Sequence, residues 1–258
     1  MIDFDNLEGY RDTVAYDSLN KLKEIEERFF VDLAQRSGGP ILDIACGTGR
    51  LTIPLAKQGY EMTGVDIIPE TLEAAKKKAL NAGVAVRWIQ ADVRQLELQR
   101  RYKMIFTTGN SFQHFLDRES QEGLLRTVYN HLEDDGVFTF ETRNPILSRL
   151  AEDNEIVKDA GTYVDKDGNN VKSTYKRSYD HKNHLEYYTF TNRLWKEDES
   201  DAVEVEEPFV LRYFFPQELE SFLYYNGFTL EQVFGNFDKS SFQADSPLIV
   251  CVCRKRSL

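Results

Sequence analysis

Ile41-Leu42-Asp43-Ile44-Ala45-Cys46-Gly47-Thr48-Gly49-Arg50 joins a short apolar run, interrupted by one acid, to two glycines one residue apart. A short apolar run bounded by turn residues reads as a buried strand, and glycine lets the backbone turn sharply and approach a ligand closely. A strand that feeds such a loop and then a helix is the first βα turn of an open α/β sheet. In those folds ligands bind beyond the carboxyl ends of the strands.

The flanks continue that pattern. Residues 18–36 put Leu19, Leu22, Ile25, Phe29 and Leu33 at helical spacing, and Ser37-Gly38-Gly39-Pro40 stops the helix. Residues 51–58 read as a helix and 61–65 as a second strand. Pro69 suits the first turn of the next helix, Glu70 its positive end, and Gly83 its stop. Strands follow at 84–89, 102–107 and 137–141; between the last two, Asp117 caps a helix carrying Leu124, Leu125, Val128 and Leu132. This alternation predicts a doubly wound, mostly parallel α/β sheet.

From about residue 161 to 214 the helical period is absent, and alternating tyrosine-rich runs are broken at Asp167-Gly168, 180–183 and 197–201. That predicts an antiparallel β meander of three or four strands inserted after the fifth strand. A helix over 216–226 and two closing strands complete the α/β part, and Cys251 and Cys253 fall on one face of the last strand. The expected division is 1–145 with 215–258 as the α/β domain, and 146–214 as the β-rich insertion.

Composition bounds the function. At 258 residues, 41% apolar and 29% charged, the chain has the make-up of an ordinary globular protein with a real core. A net charge of −11 argues against nucleic acid as partner, because phosphate binding calls for a basic face. Arg254-Lys255-Arg256 is the one compact basic cluster and reads as a solvated end. No apolar leader or membrane-length run appears, so the expectation is a cytoplasmic protein with no membrane partner, as monomer or homodimer. Three cysteines without a C-x-x-C pair do not make a disulfide framework.

A dinucleotide loop requires Gly-x-Gly-x-x-Gly, the third glycine packing helix on strand. Counted from Gly47 and Gly49 that position is Thr52; counted from Ala45 and Gly47 it is Arg50. Neither register fits, and no Walker lysine follows. The segment from Asp43 to Gly49 instead resembles the first motif of the class I S-adenosylmethionine-dependent methyltransferases of small-molecule type. Ala45 replaces the usual first glycine, a change that is acceptable where φ stays negative. Asp66 closes the second strand about 23 residues after Asp43, Asp92 follows the third in Gln90-Ala91-Asp92-Val93, and Gly109-Asn110-Ser111-Phe112-Gln113-His114 follows the fourth.

The resemblance covers about residues 40–142 and, more loosely, the terminal helix and strands. It implies a Rossmann-like sheet of seven strands with the last antiparallel, and S-adenosylmethionine as cofactor, released as S-adenosylhomocysteine. It also implies cofactor contacts from Asp43, Ala45, Cys46, Gly47, Gly49, Asp66, Ile67, Asp92, Val93, Gly109 and Asn110. Within that set Asp66 takes the ribose hydroxyls, Asp92 the adenine amino group, and 109–114 the methionine arm.

Such a cofactor carries an already electrophilic methyl group, so the protein's task is to align a small-molecule acceptor in line and exclude water. No cluster with metal-ligand spacing is apparent. An ammonium acceptor must lose a proton, for which His114, Tyr16 and Glu141 are the candidate catalytic residues. Each site residue has an ordinary alternative: packing for His114, aromatic anchoring for Tyr10 and Tyr16, helix capping for Asp66 and Asp92, and crowding for Cys46. Arg143 and Arg212 are candidates for a substrate carboxylate or for structural salt bridges. Asn144-Pro145 lacks the second proline of the base-amino methyltransferases and follows a different strand. Tyr163, Tyr175, Tyr179, Tyr187, Tyr188, Trp195 and Tyr213 suit either the walls of an acceptor pocket, with the insertion as lid, or simple packing. The alternative function is a non-catalytic S-adenosylmethionine-binding or interaction protein.

Overall fold

The computed structural model describes residues 6–152 and 154–256. The chain begins with α1 (Glu8–Arg11), α2 (Thr13–Leu19) and α3 (Glu24–Ser37). The α/β part runs β1 (Ile41–Ile44), α4 (Thr52–Lys57), β2 (Met62–Asp66), α5 (Pro69–Asn81), β3 (Val86–Gln90), β4 (Tyr102–Thr107), α6 (Arg118–His131) and β5 (Leu132–Arg143). After α7 (Leu147–Leu150) come β6 (Lys158–Val164), β7 (Asn170–Asp180), β8 (Leu185–Trp195) and β9 (Val203–Arg212). The chain then returns through α8 (Pro216–Tyr225), β10 (Phe228–Phe234) and β11 (Leu248–Lys255).

Seven strands form one sheet in the order β10-β11-β5-β4-β1-β2-β3. Its first five strands pair in parallel, and β11 runs antiparallel to β5 and β10. The order reverses between β1 and β4, which opens a crevice at their carboxyl ends. Every residue of β1 is buried, including Asp43, as expected for a central parallel strand covered on both faces. On one face Phe112, Phe138, Phe140 and Phe214 pack with α6 and α8; on the other Phe29 and Phe30 of α3 pack with Phe106 and Val250. Cys251 and Cys253 lie together in the first cluster, as period two requires.

The helix expected over 18–36 is two helices. Asn20 ends α2 by donating from both its backbone and its side chain to the Tyr16 carbonyl, and α3 restarts after the extended Lys23. Leu19 is therefore exposed, and Phe29, Phe30 and Ala34 form the buried stripe. The fifth strand, expected over 137–141, runs from Leu132 to Arg143 because β11 pairs along it as far as Arg143.

Strands β6 to β9 form a separate antiparallel sheet in sequence order. Its register puts Tyr175, Arg177, Tyr188, Phe190 and Phe209 on one face and Tyr187 on the other. The first face turns towards the 3₁₀ turn at Ser111–His114, where the Phe209 ring meets His114. Among the described residues no helix is long and apolar enough to cross a membrane.

Candidate functional site

At the β1/β4 crevice lies a cavity of about 370 Å³, within the range of small-molecule sites. Ala45, Gly47, Asp66, Ile67, Asp92 and Val93 line it from the strand ends; Tyr10, Tyr16 and His114 line it from the opposite side. The other sequence-predicted cofactor residues, Asp43, Cys46, Gly49, Gly109 and Asn110, are not part of that lining. The crevice thus joins residues far apart in sequence around one volume.

The loop after β1 is tighter than its sequence implies. Ala45 has φ of 56°, Gly47 of 55° and Gly49 of 81°, so the expectation of negative φ at Ala45 is wrong. The turn is fixed at both ends. The Cys46 N–H continues the strand ladder to the Val65 carbonyl at 3.0 Å, and the Gly47 N–H donates to Asp66 Oδ2 at 2.7 Å. Left-handed backbone costs an alanine roughly 1–2 kcal/mol, more than the entropy that glycine adds to the unfolded chain. Ala45→Gly is therefore expected to stabilise the protein by about 0.5–1 kcal/mol in urea denaturation, from the difference of those two effects. At Gly49 a Cβ would sit 3.0 Å from both Ile53 and Trp88, so no side chain fits without movement.

Asp66 accepts from two backbone groups, Gly47 N–H and, at 2.9 Å, Ile68 N–H, which ties the loop to the start of α5. Its pKa is nevertheless raised, chiefly by burial. Asp92 accepts from the Arg94 N–H at 2.9 Å and pairs with the Arg94 guanidinium, which holds its carboxyl below the usual range. Both acids therefore cap a turn and also face the cavity. Behind them Asp43 accepts from Thr52 Oγ1, and burial pushes its pKa up to about 8. The Cys46 thiol is buried and pushed well up, unlike a nucleophile.

Under the Gly109-Asn110 turn lies a charged cluster. Arg50 pairs with Glu26 through two bonds of 2.6 and 2.8 Å, and Thr108 Oγ1 donates to Glu26 at 3.0 Å. Glu141 accepts from the Asn110 N–H at 2.8 Å, which supports Asn110 at φ of 61°. Its other oxygen is buried without a hydrogen-bond partner, and burial pushes the Glu141 pKa up to about 7. The folded state thus holds this proton more tightly than the unfolded chain, whose carboxyl titrates near 4.5. Stability is then greatest below the unfolded pKa and declines as pH rises towards the folded one. Urea titrations at about pH 5 and 8 are expected to show that decline, and Glu141→Gln to flatten it.

Across the cavity His114 is half-buried and packs against Tyr10, Phe209 and Asn6. Burial, with Arg143 nearby, lowers its pKa to about 4, so the imidazole is neutral at pH 7. Burial raises Tyr16 to about 12 and Tyr10 further still; at neutral pH both are phenols. Arg143 is half-buried at the inserted sheet and donates to Tyr188 Oη at 2.8 Å. Its nearest partners are phenols, not a carboxylate. Arg212 has the structural fate, pairing with Glu218 at 2.6 Å, and Asn144 pins the 244–246 backbone.

Residues 41–136 match the family model described as a methyltransferase domain. This segment is a methyltransferase domain. The chain is 29% identical over 140 residues to a glycine/sarcosine N-methyltransferase of Halorhodospira halochloris, covering 54% of this chain and 52% of that protein. With the enzyme of the same name from Aphanothece halophytica, identity is 31%, over 46% of each chain. The chain therefore spans about half the length of the curated relatives it matches. Among solved structures, the CcbJ methyltransferase from Streptomyces caelestis superposes with a TM-score of 0.81 at 24% identity, covering 98% of this chain and all of that one. A methyltransferase from Clostridium acetobutylicum gives 0.77 at 19% identity, over 94% and 97%. The whole chain has the fold of these solved methyltransferases.

Two contributors to the candidate site escaped the sequence reading. Asn6, outside the matched segment, reaches both His114 and the backbone of β9. The Glu26–Arg50 pair links α3 to the glycine loop. Arg50 was legible as a loop residue, but nothing in the sequence marks Glu26 among its acidic neighbours.

Proposed function

We propose that this protein transfers the methyl group of S-adenosylmethionine to the nitrogen of a small amine that carries a carboxylate. The observation carrying the reading is that one cavity joins the glycine loop, Asp66 and Asp92 to Tyr10 and His114, with the Arg143 charge acting on His114. The first part fits the cofactor. Ala45 and Gly47 leave the backbone open to contact, and Asp66 and Asp92 offer acceptors where ribose and adenine present donors. When bound, the cofactor supplies an electrophilic methyl group on sulfur.

The chain's own residues orient and enclose the acceptor. Arg143, whose guanidinium donates to the Tyr188 hydroxyl, offers a fork of donors that suits a carboxylate. The N-glycine methyltransferase names of the relatives point the same way. Tyr16 at about 12 and His114 at about 4 leave no side chain on this wall poised as a base near pH 7. The amine is accordingly taken up neutral, having released its proton to water. The inserted sheet, within 146–214, backs the acceptor side, where Phe209 packs against Tyr10 and His114. The three free cysteines, all buried, suit a reducing cytoplasmic setting.

The test is transfer of labelled methyl from S-adenosylmethionine to glycine, sarcosine and methylamine. Glycine or sarcosine is expected to be methylated, and methylamine far more slowly. Efficient methylation of methylamine alone, or of none of the three, overturns this reading.

A further inference from the structure

The contacts of Asn6 define the direction of a hydrogen-bond chain. Its Oδ1 accepts from the Val210 N–H of β9 at 2.9 Å, and its Nδ2 donates to the Val210 carbonyl. This two-point pairing allows only one orientation of the amide. The second hydrogen on Nδ2 then faces the His114 ring nitrogen Nδ1, at 3.3 Å. That ring nitrogen must accept, so in the neutral imidazole the proton sits on Nε2. Nε2 lies 3.1 Å from Tyr10 Oη and donates to it. Flipping the ring would turn Cδ2 towards Asn6 and Cε1 towards Tyr10 and lose both bonds, so the two contacts also fix the ring. The rings of Tyr10, His114 and Phe209 pack against one another and hold this geometry.

The Tyr10 oxygen therefore accepts a hydrogen bond from His114 Nε2–H, and its own hydrogen points elsewhere. Tyr10 lines the cavity. We propose that Asn6 and His114 are positioning residues that hold the Tyr10 hydroxyl as a one-way hydrogen-bond donor into the cavity, where it reads a carboxylate oxygen of the methyl acceptor. The assignment rests on the methyltransferase reading and adds a specificity-determining residue to it. It also explains why the N-terminal segment is paired with β9: without Val210 the Asn6 amide, and hence the imidazole tautomer, has no fixed direction.

Two measurements test this on the full chain saturated with S-adenosylhomocysteine. Nitrogen-15 NMR of His114 is expected to give the neutral tautomer protonated at the nitrogen facing Tyr10, and Asn6→Ala to give a mixture. Acetate, as a simple carboxylate probe, is expected to bind roughly tenfold more weakly to Tyr10→Phe, the usual loss for a hydrogen bond to a charged group. If Asn6 acts through Tyr10, Asn6→Ala weakens acetate by a smaller factor and adds nothing in the double variant. The opposite tautomer, or a charged imidazole, overturns the positioning role. Equal acetate affinity in wild type and Tyr10→Phe, or no acetate binding at all, overturns the donor role. Failure of methyl transfer itself is read separately, because neither measurement involves turnover.

Discussion

Asp66→Ala is expected to weaken S-adenosylhomocysteine binding by more than roughly a hundredfold, about 3 kcal/mol, the combined loss of charge-assisted hydrogen bonds. The carboxylate lines the cavity and also accepts the N–H groups of Gly47 and Ile68. Removing it leaves both backbone donors without their acceptor, so the loop that shapes the cofactor cradle loosens as the ligand contacts vanish. Stability is expected to fall as well, by about 1–3 kcal/mol for each donor left buried and unpaired. Calorimetry and urea denaturation read the two losses. Unchanged affinity would remove Asp66 from the site and reduce it to a helix-start cap.

Arg143→Met is the second large effect, and it falls on the other half of the reaction. The variant keeps an apolar stem and deletes the charge, so kcat/KM for a carboxylated amine is expected to fall by roughly a hundred- to a thousandfold, in line with losing one partner of a buried charge pair. Affinity for S-adenosylhomocysteine is expected to hold, since Arg143 is not among the residues that line the cavity. The fold is expected to survive, because Tyr188 keeps its bond to Glu186 and Arg177 keeps its pair with Glu186. Steady-state kinetics with glycine, beside an equilibrium titration of S-adenosylhomocysteine, separates the two halves. Equal losses in both would mean that Arg143 supports the fold and does not bind acceptor.

Much of this organisation was legible in the sequence because it is local. The strand–glycine–helix unit at 41–57, the Pro69 start of α5 and the Asp117 cap of α6 depend on residues a few positions apart. The inserted sheet announced itself through alternation and turn residues. Failures came where tertiary contacts decide. Ala45 adopts left-handed backbone because Val65 and Asp66, from a different strand, fix the loop at Cys46 and Gly47. Residues 18–36 carry a continuous helical period, yet Asn20 breaks it so that α2 can lie against the insertion and α3 against β4. Asn6 has no sequence signal at all. Its role exists only because β9, some two hundred positions away, presents a free backbone pair beside His114.

The reading of the glycine loop, from which the assignment of function follows, is tested most directly by calorimetric titration of the purified chain with S-adenosylhomocysteine and, separately, with NAD. The expected result is saturable one-to-one binding of S-adenosylhomocysteine and no detectable heat with NAD, since the loop lacks the third glycine with which a dinucleotide fold packs helix on strand. Saturable binding of NAD with none of S-adenosylhomocysteine would contradict it.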